Sequence, residues 1–444
     1  MGAARVVPWL ALLALVVTSC SGGGTGGDPI PTHEPLVVNG RAYSDIGEAV
    51  ARAQPHDTIS LHAGVYQEQV EVSKAITIES AGDGDVWIDG GCDLANGLLI
   101  TASDVTIRGI GVRRSDEAAV RIDSADDVTL EDMTIQDWNC SDEDDQFRAG
   151  VASWDGGRNL SVRDSRLERR VDLDGPDDGY GNGIWVKNLG PFTGGGHVIE
   201  GNTIIGGFDG IGGEPENEAW GAFRANTVIQ DNTIENCSDD GIQVEGGTGD
   251  VVVQRNEIRG CLVGIAIAPA LEGPLTIMRN VIIEPLPHRD EGPAMLKVGD
   301  GSVGEVLVYH NSFFAGETAA DGLKQTNAGL TNIHFRNNAI YTGRYVFETG
   351  DEADLDFDYD ALATFDPDRF AVWNGEMLGD LGSFRESTGE EANGITTHDF
   401  TWDADLRLLA GSPLIDRGEI LPGINDDYVG DAPDIGAFEF GDDE

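Results

Sequence analysis

Positive charge is scarce in this chain. Of its 444 residues 28 are Lys or Arg, and only Lys74, Lys187, Lys297 and Lys324 are lysines, against 79 Asp and Glu. The formal charge of −51 excludes a nucleic-acid partner held by a basic surface, because phosphate backbones are gripped mainly by Lys and Arg. Cysteine is also rare: the five include no Cys-x-x-Cys and no cluster with His, so nothing points to zinc. The eight histidines are scattered, and no Ser, His and Asp constellation suggests nucleophilic catalysis. Long apolar runs are missing too, since the one from Val6 to Val17 is too short to span a bilayer. What remains is ample glycine and a hydrophobic content of 40%, enough for a core, so the acidity does not mean disorder. Such acidity fits a solvated, salt-adapted surface or sites for divalent cations.

One short pattern returns six times: Asn202-Thr-Ile, Asn232-Thr-Ile, Asn256-Glu-Ile, Asn280-Val-Ile, Asn311-Ser-Phe and Asn338-Ala-Ile. By subtraction of these numbers the chain advances 30, 24, 24, 31 and 27 residues between them, which suits stacked coils with elastic loops rather than helical repeats. Ile110, Met133 and Ser165 hold the same place upstream. Each turn carries short alternating runs such as Gly-Ile-Gln-Val, the sign of strands with one buried face. Such strands have nothing to pack on alone, so each coil must pair with its neighbours. A buried Asn at one turn position can bond its amide to the next, which makes these asparagines structural.

These repeats resemble the right-handed parallel β-helix proteins, a group that includes pectate lyases, polygalacturonases and alginate epimerases. The resemblance runs from about Pro35 to the C-terminus. It implies an all-β fold: a single-stranded parallel β-helix, or solenoid, with a short N-terminal capping helix and a C-terminal cap. The cap helix is expected at Ser44-Asp-Ile-Gly-Glu-Ala-Val, with Ser44 as N-cap and Ile46, Ala49 and Val50 on its apolar face. The tail, closing with Asp434-Ile-Gly-Ala-Phe-Glu439, resembles the C-terminal extension of bacterial surface β-helix proteins. It is expected to lay a loop and a helix near Leu378 to Ser387 on the last coils, with Trp373 part of the cap or of a binding surface.

The first residues read as an export signal, and Val17-Thr18-Ser19-Cys20 is similar to a bacterial lipobox, in which Cys20 carries lipid; an ordinary signal with a coincidental Cys is the alternative. The Gly-rich SGGGTGGD behind it suits a tether. Ser21 after the Cys implies the outer membrane if the source is Gram-negative. The expected layout is a signal peptide over 1–19, a tether over 20–34, N-terminal cap and first coils over 35–95, β-helix repeats over 96–345 and a C-terminal cap over 346–444. Cys237 and Cys261 each follow a repeat Asn by five, so they share a position on adjacent coils about 4.8 Å apart and should form a disulfide. Cys92 and Cys140 do not share a position, and their pairing stays open.

Chemistry is sought on the strand after each long loop. Taking Val120, Val151, Ile184, Ile211, Ile242, Ile265, Ala294 and Leu323 as inward residues gives two outward columns. One contains Trp185 and Gln243; the other contains Trp154, Lys187, Glu214, Glu245 and Lys297. Exposed Trp could stack on sugar rings, or the strip could lie under loops. Acidic loops feed its start. Among them DLDGPDDG, with Asp172, Asp174, Asp177 and Asp178, has the oxygen-rich composition of a calcium loop without the EF-hand spacing.

Asp209-Gly-Ile and Asp239-Asp240-Gly-Ile resemble the first two of four motifs that carry the catalytic groups of polygalacturonases. The third motif needs a His where this chain has Val263, and the fourth an Arg and a Lys where it has Met295 and Lys297. The resemblance implies hydrolysis through Asp209, Asp239 and Asp240, one carboxyl giving a proton and another activating water. Asp-Gly-Ile is also ordinary turn grammar. A lyase or epimerase would instead use Lys187 or Lys297 as base beside a cation. The expected function is thus an exported, lipid-anchored monomer at the cell envelope that binds a polysaccharide, with cleavage by one of these sets; the rival is a non-catalytic structural or adhesive protein with calcium-binding acidic loops.

Overall fold

The computed structural model describes residues 36–441, apart from 39–40, 142–147, 171–180, 191–193, 216, 218–219, 247–248, 288–291, 300, 303, 317, 327–329, 351–353 and 367. Its strands are short, and all those of the described residues join three sheets of 14, 12 and 13 strands, in each of which successive coils contribute one strand beside those of the preceding and following coils. Pairing is parallel through the stack, as between Thr233–Glu235 and Glu257–Arg259, and antiparallel where the first and last strands turn back. Inward residues alternate with outward ones: Val105–Arg108 and Val251–Gln254 bury their first and third side chains. The core is therefore one column of Ile, Val and Leu along the axis, widening to Phe335, Phe347, Phe357 and Phe384 at the C-terminal end. Each coil is the only cover for its neighbour's apolar edge.

The repeat asparagines form the ladder their spacing implied. Nδ2 of Asn202, Asn232, Asn256, Asn280, Asn311 and Asn338 donates at 2.9–3.0 Å to the side-chain oxygen of the next rung, the last being Asp360. The same oxygens accept the backbone N–H of the preceding rung. Upstream, Ser165 takes that place, its Oγ accepting from Met133 N at 3.0 Å and its own N donating to Asn202 Oδ1. Cys237 and Cys261 are bonded, and so are Cys92 and Cys140, with Cα atoms 5.5 Å apart.

Helix α1, Ile46–Arg52, covers the first coils; its N-cap is Asp45 rather than Ser44, because the Asp45 side chain accepts from Glu48 N at 2.7 Å. Helix α2, Leu381–Thr388, forms where a helix near Leu378 to Ser387 is expected and runs one residue further, behind a capping box at Asp380. Trp373 belongs to the cap, packed against Phe347, Phe357 and Phe384. His310, just before the rung Asn311, occupies a turn at φ 53° and is buried, its Nε2 accepting from the amides of Asn337 and Asn425. It ties the tail to the coils.

Candidate active site

The 13-stranded sheet carries the polar stack. Its strands open with a polar residue, a glycine and an isoleucine: Asn182-Gly183-Ile184, then Asp209-Gly210-Ile211, then Asp240-Gly241-Ile242. The glycines are compulsory, since a Cβ on Gly210 would lie 2.6 Å from Gly241 O, and one on Gly183 2.4 Å from Gly210 O. The polar residues before them stack coil on coil. Asn182 Oδ1 accepts from Asp209 N at 2.9 Å, and Asp209 Oδ1 from Asp240 N at 3.1 Å. Lys297 reaches back two coils, across the small Ala266, and grips both oxygens of Asp240 at 2.9 and 3.1 Å. Asp239 stands half-buried beside them, and oxygens of Asp209, Asp239 and Asp240 all lie within 4.8 Å of one another.

Burial sets the electrostatics. Asp209 is 2% exposed and Asp240 wholly buried, while the Lys297 side chain keeps 22% of its surface. Loss of water pushes the Asp209 carboxyl well above its ordinary range, and the charges of Asp240 and Asp239 push it further. Asp209 is thus the acid of the cluster that holds its proton most strongly. For Lys297, burial alone favours the neutral amine, yet Asp240, Asp239 and Asp209 outweigh it and raise the ammonium above its usual value. It is a fixed cation. The three aspartate oxygens could share a divalent ion, but the ammonium already takes the partner position on Asp240.

Two expectations are overturned. Trp185, expected to face solvent, is 5% exposed and packs against Ala118, Ala149 and Ala152, whose small side chains leave room for the indole to lie on the sheet. Lys187, also expected outside, is 3% exposed, its ammonium drawn to Glu214 on the next coil at 3.0 Å. Trp154 is half-buried opposite Lys187, and Gln243 is occupied with Glu245 at 3.0 Å. The register also differs by two residues at one coil. Leu296, not Ala294, continues the inward row from Ile265, because Met295 turns into the core where other coils have glycine. Lys297 therefore shares the column of Ala266 and Lys324 rather than that of Lys187.

The stack thus joins Asp209, Asp239, Asp240 and Lys297, and leaves Lys187, Glu214, Gln243 and Glu245 as separate pairs on neighbouring coils. Asn182, the base of the stack, escaped the sequence reading, although Asn182-Gly-Ile repeats the Asp209-Gly-Ile pattern one coil earlier. Cys20 and the loop aspartates Asp172, Asp174, Asp177 and Asp178 lie outside the described residues.

A family model described as the right handed beta helix region matches residues 70–340. No curated protein matches the chain. Among solved structures the chain is similar to the lacto-N-biosidase of family GH136 from Eubacterium ramulus, at 12% identity and a TM-score of 0.51, over 72% of this chain and 65% of that one. It is similar to the pectate lyase Pel9A at 17% identity and a TM-score of 0.46, over 90% and 91%. PfbA, a surface adhesin of Streptococcus pneumoniae, matches at 13% identity and a TM-score of 0.46, over 69% and 84%. At these identities the likeness is one of fold.

Proposed function

The chain belongs to the right-handed β-helix family, and on that scaffold we propose that it binds an extracellular polysaccharide along the outer face of the 13-stranded sheet and hydrolyses a glycosidic bond at Asp209, Asp239 and Asp240. One observation carries this reading: neighbouring carboxyls whose environments differ, Asp209 raised well above its ordinary range by burial and by the charges of Asp240 and Asp239, and Asp240 ion-paired with Lys297. Asp209 gives its proton to the leaving glycosidic oxygen. The Asp239 carboxylate attacks the anomeric carbon as that oxygen leaves; Asp209, now a carboxylate, then takes a proton from the water that displaces Asp239, and a new reducing end is released. The oxygens lie within 4.8 Å, nearer the separation of about 5–5.5 Å typical of retaining glycosidases than the wider gap of inverting ones. Elimination fits less well, because Lys297 is held as an ammonium by its aspartates, and Lys187 is 3% exposed with its Nζ 3.0 Å from Glu214, out of reach of a sugar.

A second reading, binding without cleavage, is favoured by the depth of the acids: at 2% and 0% exposure Asp209 and Asp240 must be uncovered before a sugar oxygen can reach them. The two disulfides support an exported protein, and with it a monomer anchored through lipid at Cys20 on the envelope, its acidic loops binding calcium. The test is activity of the soluble domain from Asp28 onward on acidic and neutral polysaccharides, with and without calcium, following reducing ends and unsaturated uronate absorbance. Reducing ends alone, falling at least about a hundredfold in Asp239→Asn, are expected. Unsaturated product would replace hydrolysis by elimination, and a folded protein that binds without product would leave the second reading.

A further inference from the structure

The stack that ends at Asp240 has a counterpart further along the same sheet. Asp240 is in register with Val263, Ala294 and Asp321 in turn, so the two aspartates hold one position three coils apart, about 14 Å along the axis. Asp321 is fully buried and, like Asp240, precedes a glycine. Arg344 donates from Nε to its Oδ1 at 2.8 Å and reaches Glu348 Oε2 at 2.5 Å. Burial raises the Glu348 carboxyl above its ordinary range, and a hydrogen bond shared with Asp321 raises it further. Each centre therefore has a sealed aspartate, a cation paired with it and a second carboxyl held above its usual range.

Lys324 stands between them. It is in register with Lys297 on one side and Glu348 on the other. Its ammonium donates to Gly292 O at 3.0 Å, its one hydrogen bond among the described residues, and an ammonium has three protons to give. Two of the four lysines in a chain of charge −51 thus leave the same column on adjacent strands. Like charges directly opposite each other weaken a sheet. A purely structural pattern would separate them among so many carboxylates.

We propose that Lys324 binds a carboxylate of the polysaccharide, so that the ligand is an acidic, uronic-acid polymer long enough to reach from the Asp240 centre to a far subsite at Arg344 and Glu348. This rests on the reading above that the face holds polysaccharide. The experiment is calorimetric binding of polygalacturonate and alginate oligosaccharides, from dimer to hexamer, and of the same hexamers after carboxyl reduction, to the soluble domain and to Lys324→Gln. That substitution leaves both buried ion pairs intact, and Lys324→Arg keeps the charge. Lys324→Gln is expected to weaken a carboxylated hexamer about tenfold while sparing the reduced one, with Lys324→Arg restoring binding and dimers binding weakly throughout. Equal affinity of Lys324→Gln and the native chain for carboxylated hexamers overturns the proposal, as does equal binding of dimer and hexamer. Binding of reduced hexamers as tight as of acidic ones overturns it too, while leaving the polysaccharide face standing; no binding of any glycan removes both.

Discussion

Two polar stacks run along this solenoid, and they meet the same demand in different ways. The amide ladder from Asn202 to Asn338 is buried and neutral, and each rung both donates and accepts, so every coil completes the one before it. The stack at Asp209 and Asp240 is just as buried, but a carboxylate only accepts. Each acidic rung must therefore find a proton or a cation: burial and its acidic neighbours raise the Asp209 carboxyl well above its ordinary range, and Asp240 draws Lys297 across two coils. Amides in that place give cohesion; carboxyls give a proton store beside a fixed charge.

The comparison breaks most sharply where the ladder loses a rung. Asn256 Oδ1 accepts from both the N and the Nδ2 of Asn232, and its own Nδ2 donates to Ile229 O and Asn280 Oδ1. Asn256→Ala strands two buried donors on one side and an acceptor on the other, so a loss of roughly 3–5 kcal/mol is expected in urea unfolding of the soluble domain.

The acidic stack should respond to its cation. Lys297→Met leaves the Asp240 carboxylate buried without its ion-pair partner, and a loss of about 3 kcal/mol is expected. Adding Asp240→Asn should recover most of that stability, since an amide needs no counter-charge. The double variant is expected to fold like the native chain and to release no reducing ends, which unfolding curves and product assays on the same preparation would show. Recovery of activity along with stability would mean that the charge at Asp240 has no part in the chemistry.

The ladder was legible in the sequence because one residue type recurs at one place before each strand, and the Cys237–Cys261 bond followed from the same offset. The site was less legible. Met295 replaces a glycine and turns inward, so a count along the strand slips by two and sends Lys297 to the wrong column. The burial of Trp185 depends on alanines at 118, 149 and 152, and small neighbours on other coils leave no mark beside the Trp itself. Cys92 follows the strand Val86–Asp89 and Cys140 follows Thr134–Gln136, with Gly111–Arg113 between those strands in the sheet. Their bond skips a coil, so no shared offset announces it.

The two stacks meet in principle at Asp360, where the amide ladder ends in an acid. Asp360 Oδ1 serves Asn338 as an asparagine would, accepting its N at 2.6 Å and its Nδ2 at 2.9 Å, while Asp360 N donates to Glu391 Oε2 at 3.3 Å. Both carboxyls are fully buried. Burial raises Asp360 to about 7, although hydrogen bonds from Glu391 and Asn338 pull the other way; burial and the charge of Asp360 lift Glu391 well above its ordinary value. A carboxyl whose folded pKa exceeds its unfolded one contributes stability that is complete below the unfolded value, 3.8 for Asp360, and is lost as pH rises through about 7. Asp360→Asn would supply the amide that the ladder lacks. Its melting temperature is expected to match the native chain near pH 4 and to exceed it by a few degrees at pH 8, with thermal unfolding followed across that range. A constant difference between the two proteins at every pH would show that Asp360 is charged throughout, and that the ladder ends on an ion rather than on a proton.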